Sequence, residues 1–317
     1  MILALRALGV GDLATATPAL RALRAAHPDR ELVLAAPGWL APLVDLVGGV
    51  DRLVPTDGLG RPDPALRTPH LAVNLHGRGP ESHLMLAGTR PGRLLAYASP
   101  EAGHHDGPGW RADEHEVDRW CRLLDWYDVP VDRTDLDLRR PAPGGVPSGV
   151  TVLHPGSKVP AKRWPPGRFA ALARELAARG HRVVLSGSPE ERTTAQRIAD
   201  DAGLPADAVL AGRTDLGALA ALVAYARLVV SGDTGVAHLA TGYRTPSVVL
   251  FGPVSPAQWG PPPGRPRHRA LWAGTGDWPR WDGVGSHPTL AAIGVDEVVA
   301  AVAEVERAGR VSGAVAA

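Results

Sequence analysis

Cysteine is nearly absent from this chain of 317 residues, since Cys121 is the only one. A single thiol excludes an internal disulfide framework and fits a reducing compartment. No apolar run approaches the roughly 20 residues that a transmembrane helix needs. The first residues, MILALRALGVGD, turn polar too early for a secretion signal. We therefore expect a cytoplasmic protein without an integral membrane segment.

An excess of charge of one sign is also absent. The net charge is +1, from 34 basic and 33 acidic residues. This balance argues against a nucleic-acid partner and against a polybasic membrane-binding surface. Lysine is scarce: Lys158 and Lys162 are the only two, and both lie within one five-residue window. Because all the remaining basic positions are arginine, we infer that a compact ammonium is required in this window.

The chain is longer than one hydrophobic core usually serves, so two domains are expected. Strand and helix patterns alternate up to a Pro/Gly-rich linker at residues 139–149, and the alternation then starts again. The pattern predicts an α/β protein with two doubly wound, Rossmann-like domains, residues 1–140 and 150–309. Strands are predicted at 2–8, 31–36, 70–75, 93–98, 150–154, 182–186, 208–210, 228–231 and 247–251. Helices are predicted at 13–27, 39–47, 113–127, 166–179, 190–202, 216–226 and 295–308, the last a candidate to pack back on the first domain.

The most informative stretch is LVVSGDTGVAHLATGYRTPSVVLFG, residues 228–252. It predicts a buried strand, a glycine turn, a helix from Thr234 and a second strand. The amides of Thr234 and Gly235, at the positive end of the helix dipole, are suited to bind a phosphate. Asp233 would repel a phosphate, so we assign Asp233 and His238 to hydroxyls of a sugar nucleotide. The alternative is that Asp233 caps the helix and His238 packs in its second turn.

A glycine-containing loop follows the first strand of the second domain, with the sequence HPGSK and then KRWP. The Ser157 hydroxyl and the ammonium groups of Lys158 and Lys162 can converge there on a diphosphate. The alternative is a solvated basic loop. Glu190 and Glu191, after the next strand, are candidates to accept from ribose hydroxyls, although acidic residues are also ordinary at a helix N-terminus.

Near the N-terminus, GVGDLA fits the dinucleotide fingerprint and raises the possibility of a nicotinamide enzyme. The acidic residue that should end the second strand is missing, because that strand ends Ala-Ala-Pro. We therefore interpret Asp12 as a general base, with a helix cap as the alternative. Gly11, His76 and Arg78 are assigned to the acceptor of the reaction.

Two acidic or histidine-rich segments resemble metal sites but lack ligand spacing that supports one. The first, residues 104–115, crowds its histidines and aspartates into a Gly/Pro loop. The second, Asp135-Leu136-Asp137, lies beside the linker without supporting residues. We predict no metal and no cofactor.

Taken together, LGVGD with TPAL, HPGSK, KRWP, SGDTGVAHLA and VVLFGP resemble glycosyltransferase family 9, the ADP-heptose-dependent heptosyltransferases of GT-B fold. The resemblance covers most of the chain and implies two Rossmann-like domains facing a cleft, the first binding the acceptor and the second the donor. It also implies that Asp12 is the catalytic base and that Ser157 and Lys162 bind phosphate. Asp233, Thr234, Gly235 and His238 would contact the donor.

The implied reaction is inverting and metal-independent, with an ADP-sugar as co-substrate rather than a cofactor. The acceptor stays open between a small molecule, a lipid-linked glycan and a cell-envelope glycan. A lipid-linked acceptor would place the protein at the inner face of the membrane. The chain is poor in basic residues for an anionic lipid core, and its tryptophan-rich segment, residues 259–281, has no counterpart we can place. Two alternatives remain, a sugar-nucleotide epimerase of the same architecture and a non-catalytic nucleotide-sugar binding protein.

Overall fold

The computed structural model of the chain describes residues 1–274 and 285–314. It divides into two compact units, Met1–Arg139 and Arg140–Ala317. Two tryptophans of the tryptophan-rich segment, Trp278 and Trp281, lie outside the described residues. Within the described ranges, every helix is too short or too polar to cross a bilayer.

Unit 1 is built on a five-stranded parallel sheet in the order β3-β2-β1-β4-β5. Helices cover both faces, so the central strands are buried throughout and consist almost entirely of Ala, Val, Ile and Leu. The strands are β1 (Ile2–Leu5), β2 (Leu32–Ala36), β3 (Arg52–Pro55), β4 (Leu71–Asn74) and β5 (Arg93–Leu95). The helices are α1 (Val10–Thr15), α2 (Thr17–Ala26), α3 (Ala41–Val47), α4 (Glu81–Ala87) and α5 (Glu116–Trp126).

The structure corrects three sequence predictions in this unit. The single helix predicted over residues 13–27 is two helices that meet at Ala16. Pro18 explains the division, because it has no N–H to donate to Ala14 and is favoured in the first turn of a new helix. Strand β3 and helix α4 were not predicted, since each is short and neither shows a clear apolar period.

Unit 2 has a second five-stranded parallel sheet, in the order β10-β9-β8-β6-β7. The strands are β6 (Thr151–His154), β7 (Val183–Leu185), β8 (Leu228–Gly232), β9 (Ser247–Phe251) and β10 (His268–Trp272). The helices are α6 (Pro166–Ala178), α7 (Arg192–Ala202), α8 (Leu216–Ala224), α9 (Gly235–Tyr243), α10 (Pro256–Trp259), α11 (Pro288–Ala292) and α12 (Val295–Ala314).

Differences from the sequence prediction in unit 2 lie mostly after residue 253, which was expected to be irregular up to Pro288. Strand β10 pairs with β9 there, and α10 and α11 are short helices. The strand predicted at 208–210 is reduced to one bridge between Val209 and Leu185. Helix α12 packs on α6, β9 and β10, with Val298 and Val302 buried in the unit 2 core.

Each sheet has one point where the strand order reverses, between β1 and β4 in unit 1 and between β6 and β8 in unit 2. In open α/β sheets, ligands bind outside the carboxyl ends of the strands at such a point. We call these places the unit 1 switch point and the unit 2 switch point, each defined by the two loops that follow its strands.

Candidate functional site

An ion pair lies at the unit 2 switch point, joining the loop after β6 to the loop after β8. Lys162 Nζ donates to Asp233 Oδ2 at 2.5 Å. The Asp233 side chain is 6% exposed, and that of Lys162 is 24% exposed. The structure thus brings together two residues that the sequence analysis had assigned to the same ligand by separate arguments.

Two glycines at the strand ends let the backbone that carries Lys162 lie close to the sheet. A Cβ added at Gly232 would lie 2.9 Å from the Lys162 carbonyl oxygen. A Cβ at Gly252 would lie 3.4 Å from the carbonyl oxygen of Ala161. Because backbone cannot move aside as a flexible side chain can, this close approach requires a very small residue at 232.

Residues far along the chain hold the same loop from its other side, and the sequence analysis did not find them. The backbone N–H of His287 donates to the Ala161 carbonyl at 3.1 Å, and Ser286 Oγ donates to the Arg163 carbonyl at 2.5 Å. The buried Trp164 indole donates to the Ile293 carbonyl at 3.1 Å. The backbone on both sides of Lys162 is therefore fixed.

The N-terminus of α9 faces the same switch point. Its N-cap residue is Thr234, so the alternative in which Asp233 caps the helix is wrong. Thr234 makes no side-chain capping bond, and its Oγ1 is buried without a hydrogen-bond partner among the described residues, as is Ser231 Oγ. The first N–H groups of a helix have no intrahelical acceptor, so the turn at Thr234 and Gly235 can bind an anion.

The other two residues of the predicted phosphate loop differ in position. Ser157 is buried, and its Oγ accepts from the Val159 N–H at 3.2 Å, while its carbonyl accepts from Arg163 Nε at 2.8 Å. These bonds shape the loop. Lys158, by contrast, is exposed on the loop surface.

Glu190 and Glu191 have different environments in the structure. Glu191 Oε2 accepts from the Ser188 N–H at 2.8 Å, in a capping box. Its carboxyl group lies against Gly156, where an added Cβ would be 2.1 Å away. Glu190 is exposed, and a hydrogen bond from Ser188 lowers the pKa of its carboxyl. Glu191 is therefore the one of the two that packs against the loop after β6.

Histidine at the end of β6 adds a buried neutral group behind this loop. His154 Nδ1 lies 3.0 Å from Ser186 Oγ. Burial lowers the pKa of His154, and the neighbouring Glu191 carboxylate opposes this only in part. His154 is a neutral hydrogen-bonding group at neutral pH.

His238, on α9, packs edge-to-face against Trp259, with ring centroids 5.8 Å apart. Trp259 and Trp272 lie on a small apolar cluster of Ala237, Val249 and Phe251. The Trp272 indole also donates to the Gly252 carbonyl at 3.0 Å. These two tryptophans of the tryptophan-rich segment thus support α9 and the end of β9.

Asp12 lies at the unit 1 switch point, in the third position of α1. Its Oδ2 accepts from the Gly9 N–H at 3.0 Å, so Asp12 is a helix-capping residue as the alternative interpretation proposed. Its Oδ1 lies 3.5 Å from Arg6 Nη2, and the side chain remains 26% exposed. Capping therefore leaves the carboxylate accessible.

Arg6 is a residue of this switch point that the sequence analysis missed. It follows β1, is fully buried, and donates to Glu116 Oε1 of α5 at 2.8 Å. Burial alone would raise the pKa of Glu116, but Arg6 and hydrogen bonds from Arg6 and Trp120 hold that pKa below its usual range. An arginine inside the apolar run MILALRALG was the available signal.

Among the residues assigned to the acceptor, His76 is the one whose pKa is affected by the Asp12 charge. Burial and the Arg6 charge lower the pKa of His76, and Asp12 acts in the opposite direction. Its Nδ1 is buried and has no partner among the described residues. Gly11 is half-buried within α1, and Arg78 is exposed.

Neither candidate metal segment gathers ligands. Among residues 1–274 and 285–314, no group of three His, Cys, Asp or Glu side chains is placed to hold an ion. His104 Nε2 lies 3.4 Å from the Tyr127 hydroxyl, and Asp106 lies 3.8 Å from Arg93. Asp135 pairs with Arg21.

A family model described as glycosyltransferase family 9 (heptosyltransferase) matches residues 111–280, more than half of the chain. The chain belongs to glycosyltransferase family 9. Both the resemblance and the prediction of a glycosyltransferase are confirmed. The matched stretch contains the unit 2 switch point, with Lys162 and Asp233, but not Asp12.

Similar proteins agree with the family. Lipopolysaccharide heptosyltransferase 2 of Escherichia coli K12 is 27% identical over 286 residues, which are 78% of this chain and 81% of that relative. Lipopolysaccharide heptosyltransferase 1 of Pseudomonas aeruginosa is 38% identical over 152 residues, 45% of this chain and 41% of the relative. The solved structure of E. coli ADP-heptose lps heptosyltransferase II matches with a TM-score of 0.78 at 22% identity, over 98% of this chain and 99% of that one. This match confirms the GT-B fold.

Proposed function

We propose that this family 9 glycosyltransferase moves a heptose from ADP-heptose to an acceptor hydroxyl, with inversion and without a metal. The observation that carries the proposal is the Lys162–Asp233 pair beside the uncapped N-terminus of α9. Phosphate and hydroxyl recognition are thereby adjacent, as a sugar nucleotide requires. The heptose and the nucleotide come from the names of the similar proteins, a lipopolysaccharide heptosyltransferase and an ADP-heptose heptosyltransferase.

The donor would be held by complementary groups at the unit 2 switch point. Lys162 has three N–H donors and gives one to Asp233, so two remain for diphosphate oxygens. The amides at Thr234 and Gly235 would bind a second phosphate oxygen, with Lys158 adding charge from the loop surface. Asp233 and His238 would contact the sugar, and Glu191, with Glu190 beside it, the ribose.

Departure of ADP places negative charge on the diphosphate. Lys162 and the α9 amides would stabilise that charge as it forms, which is the part that a metal ion plays in other enzymes. Ser157 acts by keeping the loop in shape, through its bonds to Val159 and Arg163. The positive charge is thus supplied by the protein itself.

Asp12 would remove the proton of the attacking acceptor hydroxyl. The hydroxyl oxygen forms a bond to the anomeric carbon as the bond to the diphosphate oxygen breaks, which inverts that carbon. A positioned general base contributes roughly 10²- to 10⁴-fold to the rate. The acceptor side would be formed by His76, whose Nδ1 has no partner in the part of the chain that the structure describes, with Gly11 and Arg78.

For the acceptor we propose a cell-envelope glycan, because the relatives are named for lipopolysaccharide and lipooligosaccharide. A lipid-linked or small-molecule acceptor carries the same hydroxyl chemistry. We propose that the reaction takes place in the cytoplasm, at the inner face of the membrane where the acceptor is lipid-linked.

Calorimetric titration with ADP, UDP, GDP and dTDP in the presence of EDTA tests the donor part of the proposal. We expect selective binding of ADP, followed by transfer of heptose from ADP-heptose to a glycan acceptor with an inverted anomeric centre by NMR. Preference for UDP or dTDP would replace the proposed donor. A product in which the sugar changes but stays attached to the nucleotide would indicate an epimerase instead.

A further inference from the structure

Arg6 is the one charged side chain in the buried end of β1 and the loop that follows it. It has no exposed surface, and its guanidinium lies over the Trp120 ring at 4.6 Å from the ring centroid. Burying a cation is costly unless it is paired and hydrogen-bonded, and an apolar side chain would usually serve stability as well or better. The position of Arg6 therefore calls for a role beyond stability.

The Arg6 side chain donates hydrogen bonds to two backbone carbonyls, one on each side of the unit 1 switch point. Its Nε donates to the Asp12 carbonyl at 3.0 Å. Its Nη1 donates to the carbonyl of Leu75, the residue before His76. Two different nitrogens of the rigid guanidinium bond the two carbonyls, a fixed arrangement that the single nitrogen of a lysine does not reproduce. One side chain thus sets the spacing between helix α1, at Asp12, and the loop after β4, which carries His76.

The charge of Arg6 is divided between two carboxylates. Nη2 lies 2.8 Å from Glu116 Oε1 and 3.5 Å from Asp12 Oδ1. Glu116 also accepts from the Trp120 indole at 2.8 Å and from Arg119 Nε at 3.0 Å, so its position on α5 is fixed. The shorter contact is the one to Glu116, which leaves Asp12 only partly neutralised.

We propose that Arg6 is a positioning residue for Asp12, fixing the backbone of Asp12 relative to the loop after β4 and sharing its charge between the Asp12 and Glu116 carboxylates. The inference rests on the proposed role of Asp12 as the base. Three groups then act on Asp12: Arg6 at the end of β1, Glu116 on α5 through Arg6, and His76 after β4. Changing either partner of the Arg6–Glu116 pair should therefore change the charge that faces Asp12 and the pH dependence of the reaction.

The test is the pH dependence of kcat/KM for Arg6→Gln and Glu116→Gln, measured in the full chain with ADP-heptose and acceptor. Because Arg6 Nη2 lies 3.5 Å from Asp12 Oδ1, loss of this cation should move the acid limb up, by about one pH unit. Glu116→Gln removes an anion and frees Arg6 for Asp12, so the acid limb should move down, by about half a unit. A purely structural role would not move the limb in opposite directions.

Two further variants keep the inference testable where Arg6→Gln does not fold. Arg6→Lys keeps the charge but cannot reach both carbonyls, so the acid limb should stay while kcat falls about tenfold from misplacement of Asp12. Arg21→Gln is the matched control, since Arg21 also bonds backbone carbonyls and a carboxylate in unit 1 but contacts neither Asp12 nor Glu116. Its acid limb should match that of the unchanged protein.

The outcomes separate this inference from the proposed function. If Asp12→Asn is inactive but the acid limbs of the Arg6 and Glu116 variants do not move, or move the same way, the positioning role of Arg6 is wrong. If Asp12→Asn keeps most of its turnover, the proposed base is wrong, and the inference about Arg6 is lost with it. ADP affinity, a property we assign to unit 2, should be unchanged in every one of these variants.

Discussion

At the unit 1 switch point the cation, Arg6, is wholly buried and bonded to carbonyls and carboxylates of its own unit. At the unit 2 switch point the cation, Lys162, is 24% exposed and pairs with Asp233 at 2.5 Å. Beside it lie buried hydroxyls of Ser231 and Thr234 that lack partners among the described residues. The unit 1 cation is therefore bonded within its own unit, whereas the unit 2 switch point has a partly exposed ammonium and buried hydroxyls that a ligand can satisfy.

This difference matches two different chemical tasks. A general base must be held in one geometry before the substrate arrives, so a fixed network around Asp12 suits proton removal. A donor site must bind and release a diphosphate, so an exposed ammonium and open amides suit that task. Variants at the two points should accordingly damage different kinetic quantities.

The largest effect is expected from Asp12→Asn. An amide of similar size cannot take a proton, so kcat should fall by roughly 10²- to 10⁴-fold. Its capping bond from the Gly9 N–H can be kept by the amide oxygen, and ADP affinity should stay unchanged by calorimetry. Turnover within a few-fold of the unchanged enzyme would remove Asp12 from the mechanism.

Lys162→Ala, unlike Asp12→Asn, should weaken ADP binding. Loss of a charged hydrogen bond worth about 1.5 to 3 kcal/mol predicts ADP binding weaker by roughly 10- to 100-fold in calorimetry. Lys162→Arg should restore little of this affinity, because a guanidinium does not replace a compact ammonium. Arg179→Ala, which removes an exposed pair with Glu175 on α6, is the control and should bind ADP normally.

Equal ADP affinity in Lys162→Ala and Arg179→Ala would show that the diphosphate binds elsewhere. If Lys162→Arg bound as well as the unchanged protein, the scarcity of lysine in this chain would carry no information about the site.

The sequence was sufficient for the parts of the site that depend on local pattern. The alternation of strands and helices predicted both Rossmann-like folds, and the glycine turns marked the strand ends near Lys162 and Asp233. The sequence was insufficient where a shift of one position decides which residue caps a helix. Asp233 and Thr234 are both good capping residues, and only the position of the turn shows that Thr234 is the N-cap.

Hydrogen-bond partners that lie far apart in the sequence were the other part of the site that could not be predicted. Glu116 is 110 positions from Arg6, and Ser286 and His287 are more than 120 positions from the loop that they hold. Nothing in a local pattern connects such residues. Strand β10 was missed for a related reason, because its exposed edge position allows a mixed sequence, HRALW, without a continuous apolar run.

A smaller effect is expected from Gly232→Ala, which alters the unit 2 switch point without changing any charge. The added methyl would meet the Lys162 carbonyl at 2.9 Å, so the loop that carries Lys162 must shift. We expect a loss of about 1 to 3 kcal/mol in the free energy of unfolding, and ADP binding weakened several-fold. In Gly167→Ala the new methyl meets no atom within 4 Å, so this variant should retain both properties. Unchanged ADP affinity in Gly232→Ala would mean that the loop tolerates the shift.

The smallest effect concerns acid stability, for which the buried groups of the two units differ. In unit 1, Glu116 is paired with Arg6, whereas in unit 2 burial, helped by Arg265 and Arg267, lowers the pKa of His268 to about 4. His268 Nδ1 lies 2.8 Å from Ser247 Oγ, and the folded state favours the neutral ring. The unfolded chain takes up this proton first as pH falls below 6.5, so the contribution of His268 to stability is present above 6.5 and lost towards pH 4.

His268→Gln keeps a hydrogen-bonding group but removes this titration. Urea unfolding between pH 7 and pH 4.5 should therefore show a shallower loss of stability in this variant, by at most about 1.4 kcal/mol per pH unit for one proton. His105→Gln, at an exposed position in unit 1, is the control and should follow the unchanged protein. Identical slopes for His268→Gln and His105→Gln would show that His268 is protonated as easily in the folded state as in the unfolded one. Stability in acid would then depend on other buried histidines, of which His154 behind the donor loop is the next to test.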